Sequence, residues 1–301
     1  MKLSKIKNQF FEQIVGEGDP FPAIWNYIFK EIWQFRPKIE DYYKQEEKMR
    51  DFEGFLVNTY DELYSEVLPK YCTGKKLDLE GSSPALFLDS LSLREGILLA
   101  KSLNDNGYDT SLTYSFSALP SVTKSFKEEV NFNDLSKNNS SAVIHDPQDI
   151  SLTGDERLIW SDFPDARLES LAKGKTVLGA ITEAYEEVEE LLFTVIDQLG
   201  PRKLIISSDH GYVRQQGAYS FSMSSHDKKK VRDLLGGGRY ISEDKSSNIP
   251  KGMENYVVSY NGYHMAKSRY VWPVSGKYNT FQHGGVSLME CLVPVLEITE
   301  E

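Results

Sequence analysis

A buried strand that delivers an acid and an imidazole at its exit constrains this chain more than any other feature. The apolar run Leu204-Ile205-Ile206 passes directly into Ser207-Ser208-Asp209-His210-Gly211. In α/β folds, ligands and catalytic groups gather at the carboxyl ends of strands. Asp and His both ligate metals, and the glycine permits a backbone turn that aims both at one ion. Asp-His-Gly also suits an ordinary turn. The reading gains weight from Asp89, Thr123, Asp165, Glu169 and His283, which stand in similar settings elsewhere.

The surrounding pattern alternates strands and helices. Ala85-Leu86-Phe87-Leu88 reads as a buried strand ending at Asp89, and Leu91, Leu98, Leu99 and Leu103 follow in helical register. Residues 110–116 alternate as a strand, and 142–144 and 157–160 read as two more. Residues 182–199 form an amphipathic helix with an acidic outer face. This order predicts an α/β fold with a mainly parallel sheet and helices on both faces. Residues 290–298 predict a last strand, with Pro294 calling for an edge position or a bulge.

Residues 1–80 read as an N-terminal helical appendage packed on the main domain at 81–301. Trp25, Ile28, Phe29, Ile32 and Trp33 make one apolar stripe there, and Phe52, Phe55, Leu56, Leu63 and Val67 make a second. The glycines and serines between Gly74 and Pro84 suggest a linker. The polar stretch at about 214–254, with Gly236-Gly237-Gly238 in its middle, reads as a lid or insertion.

Net charge is −11 over 301 residues, which argues against strong binding to duplex nucleic acid. A phosphate substrate stays open if metal ions supply local positive charge. Two distant cysteines, Cys72 and Cys291, give no disulfide framework and suit a reducing cytoplasm. No apolar segment follows the first residues as in a secretory signal, and no stretch is apolar enough to span a membrane. A cytoplasmic location is the expectation.

Each candidate has a plain structural alternative. Asp89 suits a helix cap, although Ser90 and Ser92 compete for that task. Thr123, in Leu119-Pro120-Ser121-Val122-Thr123, suits a turn hydrogen bond, but a hydroxyl beside a cation becomes a usable nucleophile. Asp165 and Glu169 share a helix face if a helix starts after Pro164, where the dipole welcomes acids and a cation would relieve their repulsion. Asp162 rivals Glu169 as a ligand. His283 precedes Gly284-Gly285 and a strand, as a turn histidine or a ligand would. His145, His226 and His264 are weaker candidates. Arg94 and the cluster Lys228-Lys229-Lys230 with Arg232 are candidates for holding phosphate oxygens.

Taken together, five stretches resemble the PglZ domain, a branch of the alkaline phosphatase superfamily. They are Phe87-Leu88-Asp89-Ser90-Leu91-Ser92-Leu93-Arg94-Glu95, Leu119 to Thr123, Pro164-Asp165-Ala166-Arg167-Leu168-Glu169, Ile206 to Gly211, and His283-Gly284-Gly285-Val286-Ser287-Leu288-Met289-Glu290 with Val293-Pro294-Val295. The likeness covers about 81–301 and implies an alkaline-phosphatase-like fold. It implies two divalent metal ions, zinc first and manganese or magnesium next. Asp89, Thr123, Asp209 and His210 would hold one ion, and Asp165, Glu169 and His283 the other. The family often has His or Asp where this chain has Glu169.

The resemblance implies a metal-dependent phosphoric ester hydrolase, foremost a phosphodiesterase on nucleotide or oligonucleotide substrates, with Thr123 as nucleophile. It also implies a role in bacterial or archaeal phage defence, with protein partners from such a system. The alternative is a metal-stabilised interaction module with weak or no catalysis.

Overall fold

The computed structural model describes residues 8–299, apart from 17, 75–82, 171–176, 201, 216, 247, 275, 277 and 278. Most of the stretch read as a linker therefore lies outside the described residues. Among the described residues the strands are β1 (Ala85–Leu88), β2 (Thr110–Phe116), β3 (Ser141–Ile144), β4 (Leu158–Ser161), β5 (Leu204–Ser207), β6 (Val213–Arg214), β7 (Tyr240–Ser242), β8 (Val257–Tyr260), β9 (Tyr263–Ala266), β10 (Phe281–Gln282) and β11 (Leu292–Ile298).

Six of them form the central sheet in the order β2-β11-β5-β1-β4-β3. Pairs β1·β4, β1·β5 and β3·β4 are parallel, whereas β11 runs antiparallel to both β2 and β5. The fold is α/β, with a mostly parallel sheet. The strands β1 and β4 are buried at every position, as a strand covered on both faces must be. One cover is the helix Val177–Leu199. Its Ile181, Ala184, Tyr185, Val188, Leu191, Leu192, Val195 and Leu199 are buried, while Glu186, Glu190 and Asp197 face outward. That spacing is one stripe of a 3.6-residue period.

This topology fixes where chemistry can occur. The segments after β1, β2, β4 and β5 all leave the sheet at one end, the carboxyl end of its parallel strands. The start of an antiparallel strand lies level with the ends of its neighbours. The segment running into β11 therefore reaches the same end, where Ser117 N–H donates to Cys291 O at 2.8 Å.

Pro294 departs from expectation, because β11 is an interior strand. Its ladder with β5 covers only Leu296, Glu297 and Ile298, so no β5 carbonyl needs a donor from Pro294. The Pro294 carbonyl is used instead by Ser207 Oγ at 2.9 Å.

The N-terminal helices share one apolar core with the sheet. Phe21, Ile24, Ile28, Trp33, Phe52 and Leu56 are buried in the same cluster as Leu86, Ile97, Ile206 and Leu296. Phe21 and Tyr71 meet Phe116 of β2 at 4.8 and 5.2 Å between ring centroids. The helix Glu46–Thr59 also buries two carboxylates, Glu46 and Glu53. Glu46 pairs with Arg94 at 3.0 Å and Arg269 at 2.9 Å, and Glu53 pairs with Arg269 and accepts Leu288 N–H at 2.9 Å. Between 214 and 282 a smaller core of Val231, Leu234, Leu235, Met253, Val257 and Trp272 sits beside the sheet β7-β9-β8.

Candidate metal centre

Asp89 follows β1 directly, and Asp209-His210 follows β5. Since β1 and β5 are hydrogen-bonded neighbours, the two loops emerge side by side. One ligand atom from each of Asp89, Asp209 and His210 lies within 4.8 Å of the others, and all three residues are buried. Asp89 does not cap the next helix, whose cap position is Ser92. Thr123, the first residue of the helix Thr123–Glu129, brings its Oγ1 to 3.2 and 3.3 Å from the two Asp89 oxygens and 3.4 Å from His210 Nε2.

The hydrogen bonds around these groups fix their lone pairs. Asp209 Oδ1 accepts from Ser90 N–H at 3.0 Å and His210 N–H at 2.9 Å. Ser90 achieves this in a left-handed conformation, φ +67°, which costs a non-glycine residue about 1 kcal/mol or more. His210 Nδ1 lies 3.0 Å from Gly211 O, which only accepts, so in the neutral ring that a metal ligand requires Nδ1 carries the proton and Nε2 is bare. Asp209 Oδ2 is buried and has no hydrogen-bond donor among the described residues. It faces the bare Nε2 at 3.4 Å. Two lone pairs turned towards each other in a buried site, beside a second carboxylate, fit a cation. Burial, then Asp209, then Asp165 push the Asp89 carboxyl up to about 9. A bound cation would reverse that preference.

A second pair lies beside the first. Asp165 opens the helix Asp165–Ser170 after β4, and its N–H donates to Asp89 O at 3.1 Å. His283 Nε2 is 4.0 Å from Asp165 Oδ1. Its Nδ1 lies 3.2 Å from Ser121 O, which again leaves Nε2 as the bare nitrogen. The His210 and His283 rings stack 4.2 Å apart at 18°. Burial, then the neighbouring His210, lower the His283 pKa, so the ring stays neutral as a ligand must be. Glu169 belongs to the same helix as Asp165, but its side chain lies outside the described residues. Asp162 is engaged elsewhere, accepting from Trp160 Nε1 at 3.0 Å and facing His145 Nδ1 at 2.6 Å.

Other candidates fall away from the centre. Arg94 is fully buried, paired with Glu46 and donating to Tyr212 O at 3.1 Å, so it does not hold a phosphate. His264 bonds Ser259 at 2.6 Å in the small sheet. Gly211 matters for close approach, since a Cβ there would stand 2.2 Å from Met289 O. Three groups at the centre had no role in the sequence reading: Ser121, Arg239 and Glu290. Ser121 and Glu290 stand inside the motif stretches, which was their only signal.

The family model for the BREX system PglZ alkaline phosphatase-like domain matches residues 124–298, more than half the chain. The chain belongs to the PglZ family. The match includes Asp165, Asp209, His210 and His283, and it begins one residue after Thr123. Two PglZ-family relatives are similar in sequence. The alkaline phosphatase-like protein PglZ of Bacillus cereus (strain H3081.97) is 24% identical over 154 residues, 48% of this chain and 17% of that protein. The alkaline phosphatase-like protein BrxZ of Escherichia coli O9:H4 (strain HS) is 25% identical over 167 residues, 46% of this chain and 17% of that protein. The matched part thus spans about a sixth of each relative's length.

Among solved structures, phosphonoacetate hydrolase from Sinorhizobium meliloti 1021 superposes with a TM-score of 0.41 at 12% identity, covering 71% of this chain and 89% of that one. Murine ectonucleotide pyrophosphatase / phosphodiesterase 5 superposes at 0.29 and 11% identity, covering 56% and 62%.

Proposed function

We propose that this PglZ domain hydrolyses phosphoric esters with divalent cations and Thr123 as the nucleophile. One observation carries the reading. The Thr123 hydroxyl lies within 3.4 Å of both Asp89 and His210, where Asp209 Oδ2 has no hydrogen-bond donor among the described residues. Asp89, Asp209 and His210 with Thr123 would hold one cation, and Asp165 and His283 with Glu169 a second. Two imidazoles among carboxylates favour zinc, with manganese or magnesium as substitutes. A cation bound there would neutralise phosphoryl oxygens and acidify the attacking hydroxyl.

The chain's own groups do the rest. Thr123 Oγ1 attacks phosphorus and a P–O bond forms. The P–O bond to the ester group breaks as the new one forms, and the hydroxyl proton passes by way of the Asp89 oxygen 3.2 Å away to the departing alkoxide, which leaves as the alcohol. Backbone carbonyls hold both imidazoles so that Nε2 faces the reacting end. Water then cleaves the phosphothreonine and restores the hydroxyl. We assign a place in phage defence beside other proteins from the family's association with BREX systems, and phosphodiesters of nucleotide or oligonucleotide type as substrates from the resemblance of the five motif stretches.

The test starts from metal-free protein, with zinc, manganese or magnesium returned, on bis-p-nitrophenyl phosphate and p-nitrophenyl phosphate. Metal-dependent turnover that disappears in Thr123→Ala supports the reading. Equal inertness of wild type and variant, both loaded with metal, favours the interaction module.

A further inference from the structure

The structure assigns Glu290 as the residue that positions both metal-site imidazoles, with Arg239 as its counter-charge. This rests on the metal centre proposed above and gives a task to a motif residue that the chemistry leaves unused. Glu290 is fully buried in the short helix before β11. Its Oε1 accepts from Gly285 N–H at 2.8 Å and Arg239 Nε at 2.7 Å. Its Oε2 accepts from Ser287 Oγ at 2.6 Å and Arg239 Nη2 at 2.9 Å. Four donors occupy the two oxygens, so Glu290 is no ligand.

What the residue joins is informative. Gly285 stands two positions after His283, and Gly211 one position after His210. The Glu290 side chain takes the Gly285 N–H, and the Glu290 carbonyl takes the Gly211 N–H at 3.0 Å. One residue therefore ties together the two loops that carry the stacked rings. Both glycines are pressed against this strut. A Cβ on Gly285 would lie 2.7 Å from Arg239 Nη2, and a Cβ on Gly211 would lie 2.2 Å from Met289 O.

Arg239 makes the buried charge tolerable. It is fully buried, pairs with both Glu290 oxygens, and donates to the carbonyls of Ser268 and Tyr270 at 2.5 and 3.0 Å. A neutral side chain at 290 would keep the shape but leave the guanidinium uncompensated. The side-chain tie from position 290 to the Gly285 loop would weaken while the main-chain tie to Gly211 stays, and the ring pair would lose part of its setting. Partners of this kind behind metal ligands typically change metal affinity by about 10–100-fold when lost.

The experiment is a cobalt(II) titration of metal-free Glu290→Gln and Arg239→Lys, well below each variant's unfolding midpoint, read by visible absorption and chelator competition. Arg239→Lys keeps the charge, so it serves if Glu290→Gln does not fold. The expected result is folded protein with cobalt affinity lowered at least about 10-fold and an altered absorption band. Wild-type affinity and spectrum in either folded variant, with only a lowered midpoint, would overturn the assignment. Wild type that binds no cobalt would overturn it together with the metal centre. Cobalt uptake does not depend on turnover, so a protein that binds but hydrolyses nothing refutes the hydrolase reading and leaves this assignment standing.

Discussion

Replacing Asp89 by Asn separates the demands of the metal centre from those of the fold. In metal-free protein the Asp89 carboxyl is pushed up to about 9 by burial and by Asp209 and Asp165. In the unfolded chain it titrates near 3.9. Between these values the folded state holds a proton that the unfolded state has released. Stability therefore falls as pH rises, by about 1.4 kcal/mol per unit at most. The depressed pKa of His283 acts with the opposite sign, and its contribution is complete once pH exceeds the ordinary imidazole value. In the window from pH 7 to 8.5 Asp89 is the main contributor, and the buried Cys291 thiol, also pushed up by burial, adds a smaller loss near the upper end that wild type and an Asp89 variant share. Wild type in chelator should lose about 2 kcal/mol across it, or roughly 4 °C in midpoint. Asp89→Asn has no proton to lose at position 89 and should show only the small Cys291 decline near pH 8.5. With excess zinc the order reverses, because the cation stabilises only the ionised wild type. Thermal melts at three pH values, with and without zinc, provide the test. Parallel pH profiles for wild type and Asp89→Asn in chelator would refute the claim that Asp89 bears the like-charge strain.

Thr123→Ala should still take up metal through Asp89, Asp209 and His210, at lowered affinity by titration calorimetry, while losing at least about 10³-fold in turnover, and Thr123→Ser should recover part of both. Glu53→Gln keeps an oxygen for the Leu288 N–H but puts an amide NH2 where Arg269 Nε needs a carboxylate oxygen, so urea melts should show a loss of about 3–5 kcal/mol. Gly211→Ala forces a Cβ into Met289 O, and should lower the melting midpoint and weaken cobalt binding together. Removing metal with a chelator should cost about 3 kcal/mol relative to protein in metal at a hundredfold excess over Kd, read as a midpoint shift at fixed pH.

Much of the central sheet was legible because its strands are short apolar runs punctuated by polar exits. Residues 85–88 and 203–207 read as strands, and Asp89, Asp209 and His210 fall at their ends. Parallel neighbours bring such ends together without further information, which is why acids 120 residues apart share one site. The helix Glu46–Thr59 was legible as apolar, yet its carboxylates were not understood. Glu46, Met49, Glu53 and Leu56 follow one another on the buried face, a signal that the two acids had partners. Those partners lie far along the chain, Arg269 being 223 residues from Glu46. Nothing local in either segment names the other.

The sequence by itself determined the strand–helix order, the family and the chemical types gathered at the strand exits. It could do so because hydrophobic period and residue chemistry are local properties. Only the tertiary structure decided that β11 lies inside the sheet, that Arg94 is held by Glu46 rather than free for phosphate, and that Glu290 spans the loops of His210 and His283. Each of these depends on which distant segments meet. That is set by the packing of the whole core and by the need to neutralise every charge it encloses.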